Sequence, residues 1–402
     1  MSAIAASQAP TRAPLFLLAG CHGALHWVLG SFYVLLPFIQ IHLGLSYAET
    51  GLLASTVHLT SLVVNVPSGM AVDITGKRIA FALTALVLAS AGMAGLSTAT
   101  GLTTVVLAVS VVAAMNTLWH PAAISYLSAQ YPTERGRALS YHTVGASVGD
   151  ALAPIAVGAS VTLIGWQSSA WVAAFPAAVA AVILWFYFSN PSDTTRPGGS
   201  GQRRAVTDYR RDLASILRDS RVWGVCLMAG LRGTCQVGLR AFLPLYAVNE
   251  MGADGIWVGI IIFAFQGAGV IGTPVAGSVS DRLGRRPVLV VGLLLSGVLV
   301  ALMPSVSEPW LYLAVVALTG ASLLSLRPVV QGWALDLTPP ALGGSTITLV
   351  FGVQAAFAMT VPVLSGMAAD RWGLSMAFYL FAGAAVAAAA MAMVLTSARN
   401  EA

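Results

Sequence analysis

The chain has 402 residues, 57% of them hydrophobic and only 9% charged, with a formal net charge of +5 and a mean hydropathy of +0.82. So few charges cannot cover a water-facing surface, which excludes a soluble domain and points to lipid as the solvent. The excess of positive charge does not indicate a nucleic-acid partner, because the basic residues fall in gaps between apolar runs and so act as topology markers.

In chain order, twelve apolar runs are long enough to cross a hydrocarbon core of about 30 Å. They cover 14–39, 49–72, 79–99, 102–130, 139–164, 168–189, 221–247, 256–279, 287–305, 309–335, 342–368 and 374–396. Ahead of them, Met1 to Pro14 lacks the basic start and small-residue cleavage site of a secretory signal, so 1–13 is expected to be a tail and the first run an uncleaved anchor. Between the sixth and seventh runs lies a long polar interruption, 190–220, where Pro197-Gly198-Gly199-Ser200-Gly201 precedes Arg203, Arg204, Arg210 and Arg211. This is the expected linker between six-helix bundles at 14–189 and 221–396, with Tyr209 to Asp219 suited to an amphipathic helix on the membrane surface. Residues 397–402 form a second tail. Lys77, Arg78, Arg135, Arg137, the linker and Arg282, Arg285 and Arg286 share one side. Glu49, Glu250, Asp254, Glu308 and Asp370 share the other. The positive-inside rule places the first side, with both termini, in the cytoplasm.

The chain is internally repeated. Gly69-x3-Asp73-x2-Gly76-Lys77-Arg78 returns as Gly277-x3-Asp281-x2-Gly284-Arg285-Arg286, 208 residues later. His120-Pro121 and Arg327-Pro328 are 207 apart, and Pro154 and Pro362, like Gly158 and Gly366, are 208 apart. The expected fold is an all-α membrane protein of twelve helices in two parallel six-helix repeats, an arrangement that puts a binding site at mid-membrane between them.

Six plus six spans, a basic central loop and the twice-used Gly-x3-Asp-x2-Gly-basic-Arg sequence resemble the major facilitator superfamily of secondary transporters. His22-x3-His26 and Trp119-His120-Pro121 are similar to the His-x3-Asp and Phe-His-Pro of its fosmidomycin-resistance-like efflux branch, with His26 where that branch carries Asp. Gly145-x3-Gly149-x4-Pro154-x3-Gly158 partly resembles the motif of drug/proton antiporters, with Asp150 in place of a proline. The resemblance implies an alternating-access transporter of the bacterial inner membrane that works as a monomer on a small molecule and protons.

Ionisable groups at membrane depth are costly and face the bundle interior. Arg232 and Arg240 lie two helical turns apart on the seventh run and Arg327 lies on the tenth. A guanidinium suits bidentate contact with a carboxylate or phosphonate, so these three are candidate anion ligands. A structural alternative for Arg240 is an ion pair with Glu250. His120 occupies the position equivalent to Arg327 in the first repeat, and His26, Trp119, Asn116 and Gln331 complete the expected substrate set. Asp150, about 16 Å into the fifth run at 1.5 Å per residue, is expected to carry a proton or to bridge to an Arg or His, with His120 and His26 as further titrating groups. Gly69, Asp73, Gly76, Arg78, Gly277, Asp281, Gly284 and Arg286 are expected gating elements.

His22 and His26 have a metal-compatible spacing but no carboxylate nearby in sequence, and Cys21, Cys226 and Cys235 have no ligand spacing; no metal or other cofactor is assigned. No phosphate loop or nucleophile constellation is present, so neither an enzyme nor ATP-driven transport is expected. The sequence thus suggests proton-coupled export of a small organic anion or anionic antimicrobial. The alternatives are a divalent-metal exporter built on the first-half histidines, or a sensor of the same fold that moves nothing.

Overall fold

The computed structural model describes residues 12–189, 217–339 and 342–395. Most of the expected linker, including the start of its surface helix, and nearly all of both tails lie outside them. The helices are α1 (Ala13–Leu43), α2 (Tyr47–Thr75), α3 (Arg78–Ser97), α4 (Leu102–Gln130), α5 (Arg135–Phe188) and α6 (Ser220–Asn249). They continue with α7 (Gly255–Leu283), α8 (Arg285–Leu302), α9 (Pro309–Leu323), α10 (Leu326–Asp336), α11 (Gly343–Trp372) and α12 (Ser375–Val394).

Two expected runs are joined and one is split. The fifth and sixth form the single helix α5, interrupted at Gly165, whose φ of 77° and ψ of 166° suit a residue without Cβ. Its arms fold back on each other. Gly145 of the first arm packs on Ala19 and Ala180 of the second lies beside Cys21, both near the start of α1, while Trp166 at the bend meets the His42 ring at its end, 5.4 Å away. The tenth run breaks at Leu324 and Ser325, one turn before Pro328. There the Arg327 N–H bonds the Leu324 carbonyl at 3.3 Å, which releases the Leu323 carbonyl for another donor.

Among the described residues ten helices, with α9 and α10 taken as one, are long and apolar enough to cross a membrane. The 30-residue α6 is not among them, because Arg221, Arg232 and Arg240 interrupt its apolar character. With α6 and the second arm of α5 added to those ten, twelve membrane-length pieces result.

The two halves meet along α2 with α11 and along α5 with α7. Contacts concentrate at the end away from the termini. Gly51 of α2 packs on the Pro362 carbonyl and Gly366 of α11 on the Tyr47 carbonyl, while the repeat-related Gly259 packs on the Pro154 carbonyl and Gly158 on the Gly255 carbonyl. Backbone can approach backbone there only because no Cβ intervenes. Helix starts are held across the same seam. Asp370 of the second half accepts from the Tyr47 and Ala48 N–H groups at 2.8 and 2.9 Å, and Thr162 of the first half accepts from the Ile256 N–H at 3.1 Å. Thr162 and Asp370 are themselves 208 residues apart, so one symmetric latch is built twice from different chemistry.

The opposite end, which carries the termini, is parted. Gly76 and Gly284 turn the chain with φ of 65° and 94°. A Cβ added at Gly69 or Gly277 would meet nothing within 4 Å, so neither of these expected gating glycines packs closely on another element in this state. Asp281 pairs with Arg285 at 2.5 Å, and Arg285 with Asp336 at 3.3 Å, all within the second half. Arg286 donates to the Met393 carbonyl of α12, which ties it to its own half, and Arg78 is half-buried at the start of α3. No ion pair joins the halves at this end among the described residues.

Candidate functional site

Between the halves, on the terminal side of the latch, lies a cavity of about 680 Å³. Its first-half wall comes from α1, α2 and α4 and includes Tyr33, His58, Asn65, Asn116 and His120. Its second-half wall comes from α6, α10 and α11 and includes Arg232, Gln236, Arg240, Arg327, Phe351 and Gln354. Three guanidinium groups therefore face one space whose lining contains no carboxylate.

Each is held differently. Arg232 is only 2% exposed; its Nη1 donates to Gln236 Oε1 at 3.0 Å and to the Leu323 carbonyl, freed by the break in the tenth span, at 3.4 Å. Its Nε has no hydrogen-bond partner among the described residues. Arg240 lies over the Tyr33 ring at 4.7 Å and reaches across the halves to Asp150 Oδ1 at 3.3 Å. That pairing replaces the one with Glu250 weighed from sequence, because the seam puts α5 nearer to this face of α6 than its own C-terminal loop. Arg327 lies 5.9 Å from the Phe351 ring and has no carboxylate in ion-pair contact among the described residues.

Asp150 is bridged from both sides, by Arg240 and by His26 Nδ1 at 2.9 Å. Of the two roles open for it in the sequence, the salt bridge is the one seen in this conformation. Asp150 and His26 stand just behind the cavity wall rather than in it.

Several expected ligands sit elsewhere. Trp119 does not line the cavity: it is fully buried, and its Nε1 donates to His142 Nε2 at 3.0 Å. Its neighbour His120 turns into the cavity instead, since adjacent helical residues point about 100° apart. Gln331, one turn beyond Arg327, is half-buried but outside the lining. Asn116 lines the cavity and its carbonyl also accepts from His120 Nδ1 at 2.7 Å. Pro121 leaves the Thr117 carbonyl without a helical donor, and Ser68 Oγ supplies one at 3.3 Å.

Sequence reasoning missed His142, which lies on α5 far from the other histidines in the chain. Its ring stacks on His22 at 3.7 Å and its carbonyl accepts from His22 Nδ1 at 2.8 Å. Around it cluster His22, His26 and His120. A ring nitrogen from each of these three lies within 4.8 Å of the other two, so the fold adds a third imidazole to the metal-compatible His22 and His26 spacing.

Two pseudo-symmetric helical halves around one cavity, closed at one end and parted at the other, are the construction of a secondary transporter. The chain belongs to the Major Facilitator Superfamily, whose family model matches residues 15–277 and 257–402. It is 25% identical over 363 residues to the uncharacterized MFS-type transporter YfnC of Bacillus subtilis, covering 87% of this chain and 86% of the relative. It is 26% identical to the chloramphenicol resistance protein of Streptomyces lividans, covering 85% and 86%. It is 23% identical to the hexuronate transporter of Escherichia coli K12 over a shorter stretch, 54% and 52%. Among solved structures, the nucleoside transporter NupG superposes with a TM-score of 0.80 over 95% of this chain and 99% of its own, at 11% identity, a likeness of fold alone.

Proposed function

We propose that this transporter exports a small organic anion or anionic antimicrobial from the cytoplasm across the bacterial inner membrane, as a monomer, in exchange for protons. The observation that carries the reading is the cavity wall with Arg232, Arg240 and Arg327 and no lining carboxylate. Removing a guanidinium from water costs several kcal/mol unless an anion compensates it. An anionic cargo supplies that compensation to Arg327 and Arg232, and bidentate geometry selects carboxylates and phosphonates.

With the basic loops inside, the parted end faces the cytoplasm and the glycine latch closes the external side. Cargo enters from the cytoplasm and is gripped by Arg327 and Arg232, with Arg240, from the second half and by His120 and Asn116 from the first. In this state Asp150 is tied to His26 and Arg240. An anion bound to Arg240 competes for its guanidinium, loosens the cross-half bridge and favours opening of the external side. A proton arriving from outside neutralises Asp150 after cargo release, and its loss to the cytoplasm restores the bridge on return. Gly69, Asp73, Gly76 and Arg78, with Gly277, Asp281 and Gly284, form the cytoplasmic gate that closes in the other half of the cycle.

Two relatives lend support from different sides. One is named for drug resistance and the other for transport of hexuronate, a sugar acid, so resistance and an anionic cargo each have a counterpart. Purified protein in proteoliposomes, challenged with carboxylates and phosphonates under a pH gradient, is expected to show cargo-dependent proton flux that Arg327→Gln sharply reduces at sub-saturating anion. Proton flux independent of every anion, or unchanged in Arg327→Gln, overturns the reading, and binding without flux supports a sensor.

A further inference from the structure

His120 lines the cavity and His26 holds Asp150, but an anion pocket does not explain why the buried His22 is gathered with them. The hydrogen bonds of this cluster determine what it can do. The Nδ1 of His22 donates to the His142 carbonyl at 2.8 Å, that of His120 to the Asn116 carbonyl at 2.7 Å, and that of His26 to the Asp150 carboxylate at 2.9 Å. With every Nδ1 carrying the proton, each ring presents Nε2 as a lone pair. Three such rings gathered in one place, each oriented by a carbonyl or carboxylate behind it, reproduce the arrangement in which imidazole binds metal.

His22 adds an independent observation. It is 4% exposed and its Nε2 has no hydrogen-bond partner among the described residues. A buried acceptor without a donor calls for a partner of another kind. His22 is also fixed in place, stacked on His142 at 3.7 Å, while the half-buried His26 and His120 are freer to move.

We propose that His22, His26 and His120 form a binding site for one divalent transition-metal ion of the borderline class to which Zn²⁺ belongs. Neutral imidazoles suit such ions, whereas Mg²⁺ and Ca²⁺ require oxygen ligands. In a tetrahedral zinc site, bonds of about 2.0–2.1 Å put nitrogens about 3.4 Å apart. A nitrogen from each ring already lies within 4.8 Å of the other two, and binding draws His26 and His120 in toward His22 to reach that spacing. His120 lines the cavity, which provides the entry path and leaves the fourth position facing the space that Arg240 and Arg327 line. Asp150 lies behind His26 as the only carboxylate in direct contact with the cluster among the described residues. With two guanidiniums opposite, the charge-matched fourth ligand is an anionic oxygen rather than a neutral group.

The site does not depend on the anion reading and is tested apart from it. Untagged protein in lipid nanodiscs is dialysed against ZnCl₂, bound metal is counted by mass spectrometry, and the zinc absorption edge is recorded. The expected result is one zinc per chain with imidazole scatterers at about 2.0–2.1 Å. His26→Gln and His120→Gln are each expected to weaken binding at least tenfold and Asp150→Asn about 10- to 100-fold, while His42→Gln, exposed at the far end, leaves it unchanged. Absence of stoichiometric zinc overturns the proposal, as does zinc binding equally strong in His26→Gln and His120→Gln.

Discussion

Replacing Gly366 by Ala tests whether the glycine seam holds the external side shut. A Cβ at Gly366 would collide with the Tyr47 carbonyl oxygen, lie 2.6 Å from the Tyr47 carbonyl carbon and 2.7 Å from Ala48 Cα. All three are backbone atoms at the start of α2, where Asp370 also grips the Tyr47 and Ala48 N–H groups, so no side chain can rotate to make room. Overpacking of this kind costs about 1–3 kcal/mol, and the cost falls only on the conformation in which α2 and α11 touch. The equilibrium between closed and open external ends should therefore shift by about 5- to 150-fold toward open. Spin labels on the 44–46 and 251–254 loops, read by pulsed electron resonance, are expected to show a longer-distance population in Gly366→Ala that wild type lacks. Gly69→Ala, with nothing within 4 Å of the added carbon, is expected to leave those distances unchanged. An unaltered distance distribution in Gly366→Ala would refute the idea that this seam sets the closed state.

Arg327→Gln is expected to lower anion affinity about 10-fold or more, the worth of a charge-assisted contact of about 1.5–3 kcal/mol, with little change in melting temperature by calorimetry. Arg232→Gln is expected to lower both, since Arg232 also satisfies the Leu323 carbonyl. In Asp150→Asn, which keeps the shape but removes the charge shared by His26 and Arg240, anion counterflow should persist while proton-coupled flux is lost; a retained pH dependence of flux would exclude Asp150 as the coupling group. Trp119→Phe removes the donor to His142 and is expected to cost about 1–3 kcal/mol of stability without changing substrate affinity, because Trp119 lies behind the cavity wall.

Membrane residence, the two-fold repeat and the pairing of His120 with Arg327 were all legible in the chain, because apolar run length, loop charge and sequence offset are local or periodic quantities. An offset of 208 likewise relates Gly51 to Gly259 and Thr162 to Asp370, yet their latch role was not visible. Nothing in a sequence says which conformation brings two repeats into contact, or at which end. The three span-embedded Arg residues stood out because charge in lipid is rare. Trp119 was misplaced because depth along a helix can be counted from sequence, whereas the face turned to the cavity depends on neighbouring helices.

What the sequence determined by itself was therefore composition-driven: a helical membrane protein of two repeats with fixed positive charge in the second and histidines in the first. Only the tertiary structure decided the partners. It took the close packing of the first arm of α5 along α1 to bring His142 and Asp150 against that helix, 120 and 124 residues from His22 and His26. It took the seam between the halves to set Arg240 on Asp150 rather than on Glu250. Hydrogen bonds and ligand geometry act over about 3 Å, and at that range the neighbours of a side chain are set by packing between helices rather than by position along the chain.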